Sequence, residues 1–304
     1  MNNADQVYKD LCDIVGEEYV FRNEPMSRHT TLRVGGPAEI FVIPDKHTLP
    51  LAGRYCRKHL LPVFFMGNGS NLVCGDGGID AVVIDAGERV SSIEVHDEYI
   101  LADAGALLSS VASVAAQEGL TGFEFASGIP GTIGGAVVIN AGAYGGEMKD
   151  VVSDVTALNE TGEVRVAAAN DLGFGYRESL IPTRNWLVLS VLVRLQKGRK
   201  DDILARMEEL KEERNAKQPL DVPSAGSTFK RPEGQFAGKL IEDAGLSGYR
   251  VGGAQVSEKH CGFVINTGDA TSEDIVTLVT YIQDVVKEKF GVALQPEVKF
   301  VGRF

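Results

Sequence analysis

The chain has 304 residues, of which 44% are hydrophobic and 24% charged, a composition typical of a globular protein. This length exceeds the size at which a single hydrophobic core usually stops growing, so we expect two or three domains. The formal charge of −12 argues against nucleic acid or an anionic membrane as a partner, and no run of about 18 apolar residues predicts membrane insertion. The N-terminus lacks the pattern of a secretory signal, which predicts a cytoplasmic protein.

The cysteine and histidine patterns predict neither a disulfide framework nor a metal site. The four cysteines are scattered without a CxxC pair, and the five histidines form no HExxH or His–Cys cluster. We therefore expect reduced thiols and no metal ion.

Helix and strand patterns alternate in the first part of the chain and indicate a βαβ-like nucleotide-binding half. Pro50 should lie in the first turn of one of these helices. The predicted elements are a helix over 4–15, strands over 31–44 that are broken at Gly35 and Gly36, a helix over 45–59, strands over 62–67 and 81–85, a hairpin over 91–105 and a helix over 106–119.

The second part of the chain is predicted to continue as a mixed sheet followed by a further region. A charged amphipathic helix that ends at Pro219 marks the boundary between the two. The predicted elements are strands over 151–159, 163–167 and 186–196, helices over 201–219, 234–246 and 272–291, and short strands in AQVS, GFVIN and QPEVKFVG.

Two glycine-rich loops are the strongest functional signal. The segment 127–147, SGIPGTIGGAVVINAGAYGGE, has seven glycines in 21 residues, and its middle, AVVIN, is predicted to be a buried strand. The loop GNGSN at 67–71 follows the apolar run PVFF at 62–65, with only Met66 between them. Because glycine lacks Cβ, such backbones can approach a pyrophosphate closely and direct several N–H donors at it. Either loop alone could be a tight turn, but together they predict a cradle for one large phosphorylated ligand.

Motif absences narrow the identity of that ligand. The chain has no GxSxG elbow with a partner histidine, no GxxxxGK[ST] run, and no GxGxxG that opens a helix before an acidic residue. A cradle of the flavin type remains. The residues that we predict to contact the cofactor are Gly35, Gly67, Asn68, Gly69, Ser70, Asn71, Ser127, Gly128, Gly131, Gly134, Asn140 and Gly142.

Three polar clusters are candidates for chemistry. Arg177 lies in FGYRES, Ser227 lies beside Lys230 and Arg231 in SAGSTFKRP, and Glu297 lies in QPEV. Each cluster also has a structural alternative, namely an ion pair, a turn-forming serine or a solvated carboxylate.

Nine sequence blocks, in order and from about residue 25 to residue 302, resemble the UDP-N-acetylenolpyruvoylglucosamine reductase family of vanillyl-alcohol oxidase-type flavoenzymes. The resemblance implies an α+β fold of three domains, with non-covalent FAD between the first two and a C-terminal substrate-binding domain. The corresponding boundaries are 1–84, 85–213 and 214–294, and the tail 295–304 could return to the active site. The blocks are TLRVGGPAEIFV, GNGSNLV, SGIPGTIGGAVVINAGAYGGE, FGYRES, KQP, AGSTFKRP, AGKLIEDAGL, GAQVSEKHCGFVIN and QPEV.

The resemblance also implies an activity, the reduction by NADPH of UDP-N-acetylglucosamine enolpyruvate to UDP-N-acetylmuramate in peptidoglycan precursor synthesis. By position in the matching blocks, Arg177 is the catalytic arginine, Ser227 the proton-donating serine and Glu297 the catalytic glutamate. A guanidinium can pair with the enolpyruvyl carboxylate as negative charge grows, and a positioned hydroxyl can protonate the α-carbon. The expected partners are therefore small molecules, a UDP-sugar and NADPH.

The substrate contacts are carried over in the same way. Lys217 corresponds to the lysine that meets the substrate diphosphate, and Lys230 and Arg231 are further candidates. Arg231 stands where the family often has asparagine. The segment between Arg177 and Ser227 is too short for the insertion found in the longer subtype, so the chain resembles the shorter one.

Two other functions stay open from sequence. A flavin-dependent alcohol oxidase of the same fold often attaches FAD through His or Cys, and His29 is the candidate for such a bond. A non-catalytic regulator that binds flavin or a nucleotide sugar would be expected to lack Arg177, Ser227 or Glu297, and all three are present.

Overall fold

The structure, a computed structural model, describes residues 3–304 and divides into two units. The first comprises the chain through Arg22 together with Ile40–Asn68 and Ala81–Arg214, and the second comprises Asn23–Glu39, Gly69–Asp80 and Asn215–Phe304. Each unit has its own buried hydrophobic core. The division into domains 1–84, 85–213 and 214–294 stays a prediction.

The described residues form seven α-helices and nineteen strands, several of them only two residues long. The helices are α1 (Ala4–Val15), α2 (Leu49–Lys58), α3 (Leu108–Gln117), α4 (Ile133–Val138), α5 (Lys200–Lys217), α6 (Ala237–Asp243) and α7 (Ser272–Phe290). The strands are β1 (Val20–Pro25), β2 (Pro37–Val42), β3 (Val63–Met66), β4 (Leu72–Cys74), β5 (Ile79–Asp85), β6 (Ile93–His96), β7 (Tyr99–Asp103), β8 (Leu120–Thr121), β9 (Gly142–Ala143), β10 (Gly146–Glu147), β11 (Val152–Leu158), β12 (Val164–Ala168), β13 (Leu187–Arg194), β14 (Gln196–Lys197), β15 (Ser224–Ser227), β16 (Arg250–Val251), β17 (Ala254–Val256), β18 (Phe263–Asn266) and β19 (Lys299–Val301).

The first unit is built around a five-stranded antiparallel sheet in the order β12-β11-β13-β7-β6. Strands β3 and β5 pair in parallel in a separate sheet of order β1-β2-β5-β3. Helix α2 packs on the five-stranded sheet at Gly53, where a Cβ would lie 2.7 Å from the Leu158 side chain. The absence of a side chain at Gly53 therefore sets the distance between helix and sheet.

The second unit contains a four-stranded antiparallel sheet in the order β15-β18-β17-β16. Its long helix α7 begins at a capping box, in which Thr271 and Asp274 each bond the backbone N–H of the other. The helix ends at Gly291, whose φ of 70° suits a residue without Cβ. Near the C-terminus β19 pairs in parallel with β4, which follows the GNGSN loop.

Most predicted elements are confirmed to within a few residues, including the six predicted helices and the hairpin formed by β6 and β7. Pro50 lies in the first turn of α2, as predicted. The predicted strand pattern over 31–44 is regular only from Pro37 onward. In the described part of the chain, no helix is long and apolar enough to cross a membrane.

The prediction of a strand at AVVIN is wrong, because this segment belongs to helix α4 and the turn after it. Thr132 caps the helix by accepting a hydrogen bond from the Gly135 N–H at 3.3 Å. The Gly134 N–H donates to the Ala104 carbonyl at 2.8 Å. A helix that is buried among neighbouring backbone lacks the polar face that distinguishes it from a buried strand.

Candidate functional site

The two glycine-rich loops come together in the first unit. A Cβ at Gly67 would lie 2.3 Å from Thr132 Oγ1, and the Asn68 side chain donates to the Pro130 carbonyl at 3.2 Å. The start of the GNGSN loop therefore lies directly against the segment 130–132. A single binding site formed by the GNGSN loop and the segment 127–147, as predicted, requires that the two lie close together in this way.

In the second unit, glycines of the cofactor-binding set are also held by close backbone contacts. Gly69 has a φ of +60°, and a Cβ there would lie 2.0 Å from the His29 carbonyl oxygen. Gly35 has a φ of +126°, and a Cβ there would lie 2.5 Å from Cys74 Cβ. The His29 ring lies 3.0 Å from the Glu24 carboxylate through Nε2. Positions 35 and 69 thus require glycine, because their positive φ values disfavour a side chain and a Cβ would clash with neighbouring atoms.

Asn140 is fully buried within the glycine-rich segment, shortly after helix α4, and joins it to the block that carries Arg177. Its side-chain amide donates to Glu147 Oε2 at 2.8 Å and to the Gly175 carbonyl at 2.9 Å. Its oxygen accepts from the Lys149 N–H at 2.9 Å. Both donors of the amide are therefore used within the protein, which makes Asn140 a structural link in the fold.

Arg177 occupies a tight turn in the first unit and has a φ of 57°, a left-handed conformation that is uncommon for a residue with a side chain. The turn is closed by the pairing of Gly175 with Glu178. The guanidinium donates to the Gly142 carbonyl at 2.9 Å. Its charge also contributes to lowering the pKa of Glu147, after the larger effect of the hydrogen bond from Lys149. Arg177 is thus fixed against the glycine-rich segment.

Ser227 and Glu297 come together in the second unit. Ser227 is exposed at the end of β15, and the next residue, Thr228, is buried. The Glu297 N–H donates to the Thr228 carbonyl at 2.8 Å, and the Glu297 carbonyl accepts from the Asn71 side chain at 3.3 Å. Two of the three predicted catalytic residues therefore lie on adjacent segments, and Asn71 of the predicted cofactor loop holds one of them.

The predicted substrate-binding cations lie in the same unit as Ser227. Lys217 is exposed at the end of α5. Lys230 donates its backbone N–H to the Gln295 carbonyl at 2.8 Å, which extends the pairing that holds Glu297. The Arg231 guanidinium lies 4.6 Å from the centre of the Phe236 ring. Their contact with a diphosphate stays a prediction.

Comparison with known proteins gives matches over the whole chain. Residues 38–168 match an FAD binding domain, and residues 218–301 match the UDP-N-acetylenolpyruvoylglucosamine reductase C-terminal domain. UDP-N-acetylenolpyruvoylglucosamine reductase of Caldanaerobacter subterraneus subsp. tengcongensis is 50% identical over 98% of this chain and 99% of its own length. The protein of the same name in Clostridioides difficile is 47% identical, with 99% of each covered.

The chain belongs to the UDP-N-acetylenolpyruvoylglucosamine reductase family.

A solved member of this family has the same fold. UDP-N-acetylenolpyruvylglucosamine reductase from Thermus caldophilus is 37% identical and superimposes with a TM-score of 0.79 over 91% of this chain and 97% of that one. The predicted family resemblance is confirmed, as are the α+β flavoenzyme fold, the assignment as an oxidoreductase and FAD as cofactor. The individual cofactor, substrate and catalytic residues stay predictions.

The GNGSN loop fits the diphosphate of FAD by the chemistry of its donors. Within residues 3–304, none of the five backbone N–H groups from Gly67 to Asn71 donates a hydrogen bond. Four of these five residues, all except the exposed Asn68, are buried or half-buried, and N–H groups in such places are nearly always paired, so this run of donors without partners indicates an anionic ligand. Gly67 and Gly69 keep side chains away from this run of donors. These residues would hold the cofactor by its phosphates.

Sequence reasoning missed two charged residues of the first unit, the buried Arg214 and the half-buried Asp85. Arg214 of α5 is buried beside Gly128, where a Cβ would lie 2.9 Å from its Nε, and its guanidinium lies 5.8 Å from the Tyr144 ring centre. Burial lowers the pKa of Arg214. Asp85 ends strand β5, and burial raises its pKa to about 7. The helix pattern gave no signal for Arg214, whereas Asp85 is visible in the sequence as an acidic residue that directly ends the apolar run AVVI.

Proposed function

We propose that the chain catalyses the FAD-dependent reduction by NADPH of UDP-N-acetylglucosamine enolpyruvate to UDP-N-acetylmuramate, a step of peptidoglycan precursor synthesis. Family membership over the whole chain supports this activity. The observation that carries it at residue level is the Asn71–Glu297–Thr228 connection. It joins the predicted cofactor loop, the predicted catalytic glutamate and the residue directly after the predicted proton donor by two hydrogen bonds.

Bound FAD would supply the hydride-transfer chemistry that the side chains of this chain lack. The protein groups must then stabilise charge and provide a proton at the α-carbon of the substrate. The turn of Arg177 holds a guanidinium that can pair with the enolpyruvyl carboxylate. The exposed Ser227 hydroxyl can donate the proton, and Lys230 and Arg231, which follow it in the chain, are the candidate cations to stabilise the negative charge left on its oxygen.

The backbone at Glu297 restricts where its carboxylate can act. Its N–H and carbonyl are both engaged, so the residue is fixed against the segment that follows Ser227. A carboxylate held there can orient the substrate or stabilise a neighbouring cation. We assign Glu297 to positioning and charge stabilisation at the Ser227 end of the site.

Separate measurement of the two half-reactions tests the proposal. Ser227→Ala should keep its FAD content and its reduction by NADPH, because the hydroxyl acts only on the sugar. Loss of a positioned general acid typically costs roughly 10²- to 10⁴-fold, so anaerobic reoxidation by the enolpyruvyl sugar should slow by that order. Ser227→Cys should recover part of the rate, since a thiol can still donate a proton.

Ser224→Ala is the matched control, because Ser224 lies on the same strand β15. It should leave both half-reactions near wild type. An unchanged reoxidation rate in Ser227→Ala would remove Ser227 from the mechanism. Failure of the wild-type enzyme to be reoxidised by the enolpyruvyl sugar would refute the proposed activity itself.

The two alternatives from sequence are not favoured by family membership. An alcohol oxidase would be reduced by a simple alcohol, and covalent flavin would stay with the protein after acid precipitation. A regulator would bind FAD or the UDP-sugar without turnover. The same anaerobic experiment distinguishes both from the reductase.

A further inference from the structure

The carboxyl group of the half-buried Asp85 has one oxygen, Oδ1, that is shielded from solvent and has no hydrogen-bond partner among the described residues 3–304. Burial is the only cause that raises its pKa to about 7, so no neighbouring charge compensates it. An ionised carboxylate in such a place is strongly unfavourable unless a donor satisfies it. The site is therefore incomplete without a proton or a ligand.

The neighbouring charged side chains do not fill this role. The Arg89 guanidinium, the nearest cation along the chain, stacks on the Tyr19 ring at 3.3 Å from its centre and lies 3.7 Å from Asp45. Glu88 and Asp103 are acids and cannot neutralise a carboxylate. Asp103 itself has a buried Oδ2 without a hydrogen-bond partner among the described residues. Within the described residues 3–304, no lysine or arginine side chain therefore pairs with Asp85.

The strand register places Asp85 beside the start of the GNGSN loop. Strands β3 and β5 are parallel, and Asp85 is the partner of Met66, the residue directly before Gly67. The Ala86 N–H donates to the Met66 carbonyl at 2.9 Å, which continues the pairing past Asp85. Paired strands lie about 4.8 Å apart, so the acid lies one strand away from the first donors of the loop. Ligands of parallel sheets bind outside this carboxyl end of the strands.

Glycines keep the space around this carboxyl group free of other side chains. A Cβ at Gly87 would lie 2.9 Å from Asp85 Oδ1, and a Cβ at Gly105 would lie 1.9 Å from the Gly87 carbonyl oxygen. The adjoining Ala104 carbonyl accepts from the Gly134 N–H of the glycine-rich segment. Asp85 therefore lies where the backbones of both predicted cofactor loops and the end of β7 converge.

We infer that the Asp85 carboxylate accepts hydrogen bonds from the ribose hydroxyls of the adenosine half of bound FAD. In FAD the ribose is attached directly to the diphosphate, and the loop that starts at Gly67 offers donors to that diphosphate. Asp85 lies on the strand next to these donors, so a ribose attached to the bound diphosphate would be near its carboxylate. A carboxylate can accept hydrogen bonds from two hydroxyl groups at once. The inference rests on FAD as the cofactor and is independent of which sugar the enzyme reduces.

Flavin affinity of the apoprotein tests the assignment at pH 8. FAD and FMN are titrated separately, with flavin fluorescence as the readout, because FMN has the ribityl chain and one phosphate but no adenosine. Asp85→Asn should weaken FAD binding by roughly 10- to 100-fold, the usual loss for a hydrogen bond to a charged group, and leave FMN binding unchanged. Asp13→Asn, an exposed acid of the same unit, is the control and should change neither affinity.

Two results would overturn the assignment: FAD affinity equal to wild type in Asp85→Asn, or an equal loss of FAD and FMN affinity. Proton release on FAD binding by the wild-type protein is a second test, which does not depend on the folding of the variant. Since hydrogen bonds to the ionised form lower a carboxyl pKa, FAD binding near pH 6.5 should release a proton from Asp85. Calorimetry in two buffers of different ionisation enthalpy measures this proton, and its absence contradicts the inference.

Discussion

Asp85 should destabilise the FAD-free protein at neutral pH, and Asp85→Asn should therefore stabilise it. Burial raises the pKa of this carboxyl from 3.8 to about 7 in the folded protein. At a pH between these two pKa values, the Asp85 carboxyl is ionised in the unfolded chain and protonated in the folded protein, so folding takes up a proton. The stability contributed by the neutral carboxyl is fully present below about pH 4 and is lost as the pH rises to about 7.

The size of the effect follows from the two pKa values. Their difference corresponds to about 4 kcal/mol at 1.36 kcal/mol per unit, and this full penalty applies above pH 7. At pH 5 the penalty is smaller, because it then corresponds only to the difference between the unfolded-state pKa of 3.8 and pH 5. The penalty therefore grows by about 2 to 3 kcal/mol from pH 5 to pH 8. Asparagine carries no charge at either pH. The advantage of Asp85→Asn over wild type should grow by the same amount.

Thermal unfolding of the apoproteins at pH 5, 6, 7 and 8 measures this change. For a unit of roughly 200 residues, the Tm difference between variant and wild type should widen by about 5 to 10 °C across the series. Comparing the difference between pH values cancels any constant effect of the substitution. A Tm difference that is constant with pH, or one matched by Asp13→Asn, would refute the reasoning.

Three further substitutions test other parts of the structure. Gly67→Ala places a Cβ 2.3 Å from Thr132 Oγ1, so the purified protein should retain less FAD, and its flavin-to-protein absorbance ratio measures this; an unchanged ratio would show that the loops can separate without cost. Asn140→Ala removes three hydrogen bonds from a fully buried site and should lower the free energy of unfolding by about 2 kcal/mol or more in urea titrations, a loss that Asn185→Ala on the surface should not reproduce. Thr271→Val removes the side-chain cap of α7 and should cost about 1 kcal/mol of stability with flavin content unchanged; loss of flavin would contradict a purely structural role.

The sequence predicted those elements whose pattern is local. The sequence of helix α7 has apolar residues at helical spacing and a glycine after its last turn. In the structure these apolar residues are mostly buried, and the helix ends at Gly291. The hairpin of β6 and β7 is likewise visible as alternation along a short segment. Helix α4 was not predicted correctly, because its residues are buried among backbone and its glycines disfavour a helix in isolation. Its cap at Thr132 is the local signal that could have identified it.

The candidate site was predictable in its residue types but not in its connections. The glycine loops and the Arg177, Ser227 and Glu297 blocks are recognisable as motifs. The bond from Asn71 to the Glu297 carbonyl joins residues 226 positions apart, and no local pattern encodes such a contact. The isolation of Asp85 was equally hidden, because burial of a strand end depends on what packs around it. Long-range pairing determines both features.

The pairing of β19 with β4 has a consequence for biosynthesis. Lys299, Phe300 and Val301 are the strand partners of Leu72, Val73 and Cys74, so the second unit needs the last residues of the chain to be complete. A ribosome adds residues from the N-terminus, and domains fold as their segments emerge. The first unit has all its segments once Arg214 has emerged, whereas β4 must wait for the C-terminus. A nascent chain that stops before Lys299 should therefore leave β4 as an open edge, exposed to quality-control proteases and to aggregation.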